Sequence, residues 1–229
     1  MEKPRNSYYA GHRRRLKKRF LEGGCSGLHD YEVVELILFY ALPRKDVKPL
    51  AKQLVHHFGG VHGLLDAAIE ELTAVPGIST HTALLIKLIK ETGPLYLKKV
   101  IQDKPAISSI DDLMEYCLTS MGGLKDEHFT VIFLNAQNRV IHIETLQKGT
   151  VNQAFIHPRM VLEHALNRKA SAVILVHNHP SGHPRPSQAD ISLTKTIVSA
   201  ARMLDITVHD HVIIGGNTYF SMRSEGLLT

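Results

Sequence analysis

The 229-residue sequence has few of the features that assign a chain to a class of protein at once. It has only two cysteines, Cys25 and Cys117, which are far apart and share no spacing motif. Two such cysteines provide no disulfide framework, so we expect reduced thiols and a cytoplasmic protein. The same count excludes the zinc deaminase pattern, because that pattern needs a Pro-Cys-x-x-Cys element.

Long apolar stretches are also missing. No run approaches the length of a membrane span, and the N-terminus is rich in arginine and lysine without the apolar core of a secretory signal. We therefore expect no membrane contact. The composition, 44% hydrophobic and 21% charged, is that of a globular chain with enough material for one large or two small domains.

The positive charge is unevenly placed. The net charge is +5, but residues 1–20 contain eight lysines and arginines against one glutamate, a local charge of +7. The rest of the chain therefore sums to −2. Such a patch suits the phosphate backbone of DNA, although a solvated terminal segment has the same composition.

The first half of the chain has the pattern of a helical domain, which we place at residues 1–100. Apolar residues recur at helical spacing, and glycine or proline pairs end each helix. Residues 69–86 resemble a helix-hairpin-helix, whose turn presents backbone N–H groups to DNA phosphates. Ser79 stands where that turn usually has its second glycine, and such hairpins also serve as packing elements.

A predicted linker lies between Gly93-Pro94 and Asp103-Lys104-Pro105, and a second domain follows at residues 106–229. Strands and helices alternate in this part of the chain. We predict a mixed sheet flanked by helices, which makes the protein an α/β chain with an all-α N-terminal domain. The predicted strands cover residues 128–134, 139–146, 173–179, 207–214 and 218–221.

One strand end has the spacing of a metal site. His177 and His179 follow a buried apolar run, and residues two apart in a strand point to the same side. A proline- and glycine-rich loop then leads to a helix that starts at Ser187 and contains Asp190. Two imidazoles and one carboxylate suit a catalytic Zn²⁺ ion, which keeps a fourth position for water. Ser187-x-x-Asp190 also fits a capping box, which would need no metal.

The spacing His-x-His, seven residues, Ser-x-x-Asp resembles the metal signature of the JAB/MPN (JAMM) metalloproteases. The segments His177–Gly182 and Pro186–Asp190 resemble the RadC family more narrowly, and that resemblance extends over nearly the whole chain. It implies a cytidine deaminase-like JAB/MPN fold and zinc-dependent hydrolysis of peptide or isopeptide bonds in an unidentified protein substrate. His177, His179 and Asp190 are then the metal ligands.

The same resemblance implies roles for two further side chains. The JAMM pattern has a glutamate where the first core strand begins, and here Glu127 stands at that place as the expected general base. Glu144, in the next strand, competes for this role. Ser187 is the expected hydrogen-bond donor to the developing oxyanion.

Several alternatives stay open at the level of sequence. His209-Asp210-His211 is a second His-x-His, which we interpret as strand surface or as a residue that orients a ligand imidazole. The chain also fits a DNA-binding repair or recombination factor with a structural or idle metal site. A metal-dependent nuclease is a further candidate, although two histidines and one aspartate favour Zn²⁺ over Mg²⁺. The sequence predicts no oligomeric state.

Overall fold

The structure is a computed structural model that describes residues 7–103, 110–149 and 156–228. The chain divides into two compact units, residues 1–92 and 93–229. This division falls inside a helix, whereas the sequence analysis placed the domains at 1–100 and 106–229. Within the described residues, no helix is long and apolar enough to cross a membrane.

The first unit is helical, as predicted. A 3₁₀ turn at Cys25–Gly27 joins its first two α-helices. The helices that belong to this unit, the last of them continuing into the second unit, are α1 (Ser7–Gly23), α2 (Asp30–Ala41), α3 (Lys48–Phe58), α4 (Val61–Asp66), α5 (Ile69–Ala74) and α6 (Thr80–Asp103). Gly59 ends α3 in the left-handed conformation with φ +73°, which confirms the predicted glycine stop.

Two arginines of α1 are part of the internal structure of this unit. The Arg13 guanidinium donates to the carbonyl oxygens of Leu42 and Lys45 at 2.9 and 2.7 Å, where α2 has ended and its last carbonyls lack helical partners. The Arg19 guanidinium binds both carboxylate oxygens of Glu32 at 2.6 and 3.0 Å. Leu16 between them is 1% exposed in the core. The basic run is therefore partly structural.

The predicted linker at Gly93-Pro94 is wrong, because α6 continues through both residues. Proline removes one backbone donor from a helix but does not end it when other interactions hold the flanking turns. Thr92 and Gly93 before Pro94 do not favour the helix, but Ile101 in its last turns is 5% exposed in the core of the second unit, so packing supports the helix beyond the proline. The Lys104-Pro105 part of the linker lies outside the described residues.

The second unit has the predicted mixed sheet. Its strands are β1 (Glu127–Leu134), β2 (Val140–Gly149), β3 (Ala172–Asn178), β4 (Thr207–Gly215) and β5 (Thr218–Ser221). Their order in the sheet is β2-β1-β3-β4-β5, and only β3 and β4 run parallel. The other helices are α7 (Ile110–Met121), α8 (Pro158–Asn167) and α9 (Gln188–Arg202).

The central strands of the sheet are buried on both faces, whereas the edge strands β2 and β5 are largely exposed or half-buried. Alternate residues of β1 and β3 pack in two clusters, as the period of two requires. Ile132 and Val176 lie in the cluster that includes residues of α7, and Val131 and Leu175 lie in the cluster that includes residues of α8 and α9. Strand β3 is buried at every position. A strand that is buried on both faces requires an uninterrupted apolar run, so the sequence of β3 matches its central position in the sheet.

A β-bulge in β4 changes which side chains reach the α9 face. Val208 pairs with Val173 and Asp210 pairs with Ile174, so His209 is an extra residue. Val208 packs in the cluster on the α8 and α9 face, and His211 lies on the same face against Phe129. Residues three apart share a face only because the bulge shifts the alternation.

Candidate metal centre

The described residues contain one group of side chains that can hold a metal ion, and it is the predicted one: His177, His179 and Asp190, which we call the metal group. His177 lies at the end of β3, His179 follows that strand, and Asp190 lies in the first turn of α9. The two Nε2 atoms are 2.9 Å apart. The Asp190 carboxylate oxygens lie 3.5 Å from Nε2 of His177 and 3.6 Å from Nε2 of His179.

These separations fit a zinc ion. Three donors bound tetrahedrally at 2.0–2.1 Å lie about 3.3 Å from one another. The two nitrogens, 2.9 Å apart, are closer than this value. The distances of 3.5 Å from Oδ1 of Asp190 to His177 and 3.6 Å from Oδ2 to His179 are slightly longer, and one ligand atom from each of the three residues lies within 4.8 Å of the others. Two imidazoles and one carboxylate also match the chemistry that zinc prefers.

A chain of buried hydrogen bonds sets the tautomer of His177. The Thr194 hydroxyl donates to the Asp190 carbonyl oxygen at 2.6 Å, so it accepts the hydrogen on Nδ1 of His211 at 2.5 Å. Burial holds the pKa of His211 well below its ordinary value, so its Nε2 carries no hydrogen. That nitrogen accepts from Nδ1 of His177 at 2.8 Å. The Nε2 lone pair of His177 is therefore left for a cation.

The loop after β3 sets the tautomer of His179 in the same way. The Nδ1–H of His179 donates to the His183 carbonyl oxygen at 2.8 Å, and a carbonyl can only accept. Gly182, with φ +80°, turns the chain so that this carbonyl returns to the ring. The Nε2 atom of His179 thus points toward Nε2 of His177 at 2.9 Å, where a proton on His179 or a metal ion can lie between the two nitrogens.

In the metal-free site, burial and neighbouring charges decide how the pKa of each of the three side chains is shifted. Burial lowers the pKa of His177 to about 4, and the Asp190 carboxylate only partly offsets this. The Asp190 carboxylate, 3.6 Å from its Nε2, raises the pKa of His179, with burial acting in the opposite direction. Burial alone would raise the pKa of Asp190, but His179, His177 and the Ser187 donors hold it well below its usual range.

Ser187 makes the capping box that the sequence also allowed. Its Oγ accepts from the Asp190 N–H at 3.1 Å, and its own N–H and hydroxyl both donate to Oδ2 of Asp190 at 2.7 Å. The cap and the metal group therefore share one carboxylate. Ser187 is exposed, and its hydroxyl lies at the edge of the group rather than within it.

Glu127 lies within electrostatic range of the metal group. It is the first residue of β1, not the residue before that strand. Burial raises its pKa, while a charged His179 lowers it and the Asp190 carboxylate raises it further. A half-buried carboxylate beside two of the ligands has the position and the basicity that a general base needs.

Glu144 has different neighbours. It pairs with Val131 in the middle of β1, and its carboxylate accepts from His164 at 3.0 Å and forms an ion pair with Arg168 of the loop after α8. The structure thus brings Glu127 into electrostatic range of His179 and Asp190, whereas the described partners of Glu144 are His164 and Arg168.

Sequence reasoning missed Thr194 and the carbonyl of His183. Thr194 lies four residues after Asp190 and hence on the same face of α9, which is a signal that spacing offers. The interpretation of the second His-x-His as an orienting element is confirmed for His211. His209 is the bulged residue, and its Nε2 contacts Asn138 at 2.7 Å.

Comparison with known proteins agrees with this arrangement. The family model described as "RadC-like JAB domain" matches residues 107–227. The UPF0758 protein SPO0054 of Ruegeria pomeroyi is 43% identical over 222 residues, which cover 97% of this chain and 99% of that protein. The mixed sheet and the helical N-terminal unit confirm the predicted fold. The chain belongs to the RadC-like JAB domain family.

Proposed function

We propose that the protein is a zinc-dependent hydrolase that cleaves peptide or isopeptide bonds. The observation that carries this proposal is the convergence of two lone pairs and one carboxylate on a single point, with Glu127 beside them. Hydrogen bonds on the far side of each imidazole fix both rings for that purpose. Such preorganisation is typical of a working metal site rather than of a surface turn.

Each residue has a role in this reaction. His177, His179 and Asp190 would hold the zinc ion, which when bound would supply a water of lowered pKa and polarise a carbonyl. The Glu127 carboxylate accepts a proton from the attacking water and returns it to the leaving amine. The Ser187 hydroxyl donates to the oxygen on which negative charge develops, and this requires it to rotate away from Asp190.

Metal analysis tests the ligand set. Purified wild-type protein should contain about one zinc per chain, and the double variant His177→Ala/His179→Ala should contain almost none. His209→Ala is the matched control, since it removes an imidazole of the second His-x-His without touching the group. Undiminished zinc in the double variant would refute the proposed site.

Substrate trapping tests the reaction. Glu127→Gln should keep its zinc, lose about 10²–10⁴-fold in rate and accumulate uncleaved protein substrates in cells, since it removes only the proton acceptor. Glu144→Gln is the matched control and should behave as wild type apart from stability. If plasmid DNA is cut while no protein accumulates, the site belongs to a nuclease instead.

We further propose that the helical unit contacts DNA through α1. Arg14, Arg15, Lys17 and Lys18 are exposed on this helix, and a cluster of cations of this size suits a phosphate backbone. Arg13 and Arg19 are left out of the proposed contact because they hold internal partners. The turn before α6, with Gly77 at φ +96°, is the second proposed contact.

Salt titration separates this contact from a solvated helix. Replacing Arg14, Arg15, Lys17 and Lys18 by glutamine should weaken binding to a DNA duplex and flatten the slope of log K against log salt. Truncation of residues 1–20 is a poorer test, since it also removes Leu16 from the core. Equal slopes for both proteins would show that the helix is merely solvated.

We also propose a cytoplasmic location. Cys25 is exposed and Cys117 is buried, and both are free thiols. Burial raises the pKa of Cys117 to about 12, so this thiol stays protonated and inert. The exposed Cys25 keeps its thiol only in a reducing compartment. Cell fractionation with thiol labelling tests this, and an oxidised Cys25 in cells would contradict it.

A further inference from the structure

Asn178, the residue between the two histidines, is a buried polar residue in an apolar strand. It is 2% exposed at the end of β3, where the preceding residues Val173–Val176 are all apolar. Asparagine is disfavoured in strands, and burying its amide is costly unless both of its ends are hydrogen-bonded. The partners of this amide therefore indicate what it does.

The Asn178 amide binds the chain on both sides of Glu127. Its Oδ1 accepts from the backbone N–H of His128 at 2.8 Å. Its Nδ2 donates to the backbone carbonyl of Asp126 at 3.0 Å. One side chain thus satisfies two peptide groups that flank the same residue, Glu127, 51 positions earlier in the sequence.

These two hydrogen bonds occur beyond the last paired residues of β1 and β3, so they replace strand pairing there. The pairing of β1 with β3 ends at Phe129 and His177. Peptide groups of alternate residues face the same edge of a strand, so those of Asp126 and His128 face β3. Glu127 itself pairs with Gly149 of β2 on the other edge. The peptide of Glu127 is thereby held from both edges.

We propose, resting on the proposed function, that Asn178 is a positioning residue for the general base. It fixes the backbone at Glu127 so that the carboxylate stays beside His179 and Asp190. Its neighbours in sequence, His177 and His179, hold the metal. A single three-residue segment therefore sets both the ligands and the base, and their relative position does not depend on a separate loop.

Positioning of Glu127 by Asn178 matters because the rate of proton transfer depends strongly on distance. A misplacement of about 1 Å can cost about 10²-fold in rate. Glu127 stands at the start of β1, where a strand frays unless its peptide groups have partners. The amide of Asn178 provides them at the point where β3 must turn away into the metal-binding loop.

Cobalt-loaded protein offers a readout that needs no substrate. The visible absorption of bound Co²⁺ changes with pH, and the midpoint of this change responds to the charge of a neighbouring carboxylate. Glu127→Gln should shift the midpoint by about one pH unit. Asn178→Ala should keep one Co²⁺ per chain and shift the midpoint in the same direction. The double variant should show no shift beyond that of Glu127→Gln alone.

Thr130→Val is the matched structural control. Thr130 lies in the same strand and its hydroxyl contacts that of Thr145 on β2 at 3.0 Å, so the change removes one buried bond of β1 away from the metal. It should lower the melting temperature as Asn178→Ala does, and it should leave the Co²⁺ midpoint unchanged. A purely structural role for Asn178 predicts the same behaviour for both variants.

Three outcomes decide the matter. An unshifted midpoint in Asn178→Ala, with a shifted one in Glu127→Gln, overturns this inference alone. Failure of the wild-type protein to bind Co²⁺ overturns the proposed function and this inference with it. If Asn178→Ala does not fold, Asn178→Ser replaces it: it adds no charge, its shorter side chain cannot bridge both peptide groups, and an unshifted midpoint in this variant overturns the inference in the same way.

Discussion

Replacement of Thr194 by valine tests the hydrogen-bond chain behind the metal group. The two side chains have nearly the same shape, so the change removes a hydroxyl and little else. Thr194 is 1% exposed, and its hydroxyl is the only link described between the His211 ring and the Asp190 carbonyl. His211 is 0% exposed as well, so bulk solvent has no direct access to its ring.

The expected magnitude follows from the partners. Without the hydroxyl, the Nδ1–H of His211 has no acceptor, and a buried donor left without a partner costs about 1–3 kcal/mol. The ring can avoid this cost by moving its hydrogen to Nε2, but then Nδ1 of His177 loses its acceptor. The hydrogen of His177 would move to Nε2, the atom that faces the metal. We expect zinc affinity to fall about 10–100-fold.

The assay is a competition for zinc against a chelator of known affinity. Thr196→Val is the matched control, because the Thr196 hydroxyl makes the same bond to the carbonyl four residues back, at 2.9 Å to Ser192, on the exposed side of α9. It should bind zinc as wild type does. Equal zinc affinity in Thr194→Val and Thr196→Val would refute the account of how His177 is oriented.

Two further predictions concern the loop and the protons of the site. Gly215→Ala should weaken zinc binding severalfold and lower the melting temperature, because its Cβ would lie 2.6 Å from the Pro184 nitrogen and 2.7 Å from the Gly182 oxygen, on the loop whose carbonyl orients His179; unchanged affinity would contradict this. Zinc binding near pH 6.5 should release protons, up to one per site, because the pKa of His179 is raised in the metal-free protein and zinc takes only the unprotonated ring. Affinity should therefore rise with pH until it passes that raised pKa, and His177, with a pKa of about 4, should add no release above about pH 5. Calorimetry in buffers of different ionisation enthalpy measures the release, and heats independent of the buffer would refute it.

The sequence could predict the three members of the metal group because local geometry alone sets them. Strand alternation puts His177 and His179 on one side, and a helix that starts at Ser187 puts Asp190 in its first turn. The only further requirement is that the loop between His179 and Ser187 has a length that lets the start of the helix reach the end of the strand. The fold class followed from the same kind of regularity, since apolar periodicity marks each strand and helix.

What the sequence could not predict depends on contacts between distant segments. The bulge at His209 has no local signal, yet it decides that His211 reaches His177. The internal partners of Arg13 and Arg19 lie in and after α2, so charge counting alone overstated the free basic surface. Helix α6 passes Pro94 because its far end packs into the second core, which no turn rule anticipates.

The capping box and the metal site began as rival interpretations of Ser187-x-x-Asp190, and the structure removes the conflict. The cap uses Oδ2 of Asp190, which accepts from the N–H and the hydroxyl of Ser187. Oδ1 is the oxygen that faces His177 at 3.5 Å, and the capped Oδ2 also lies 3.6 Å from Nε2 of His179. The carboxylate is therefore oriented by the helix start before any cation arrives, and the positive end of the helix dipole favours its charge. A sequence signal that merely begins a helix also holds the third ligand in place.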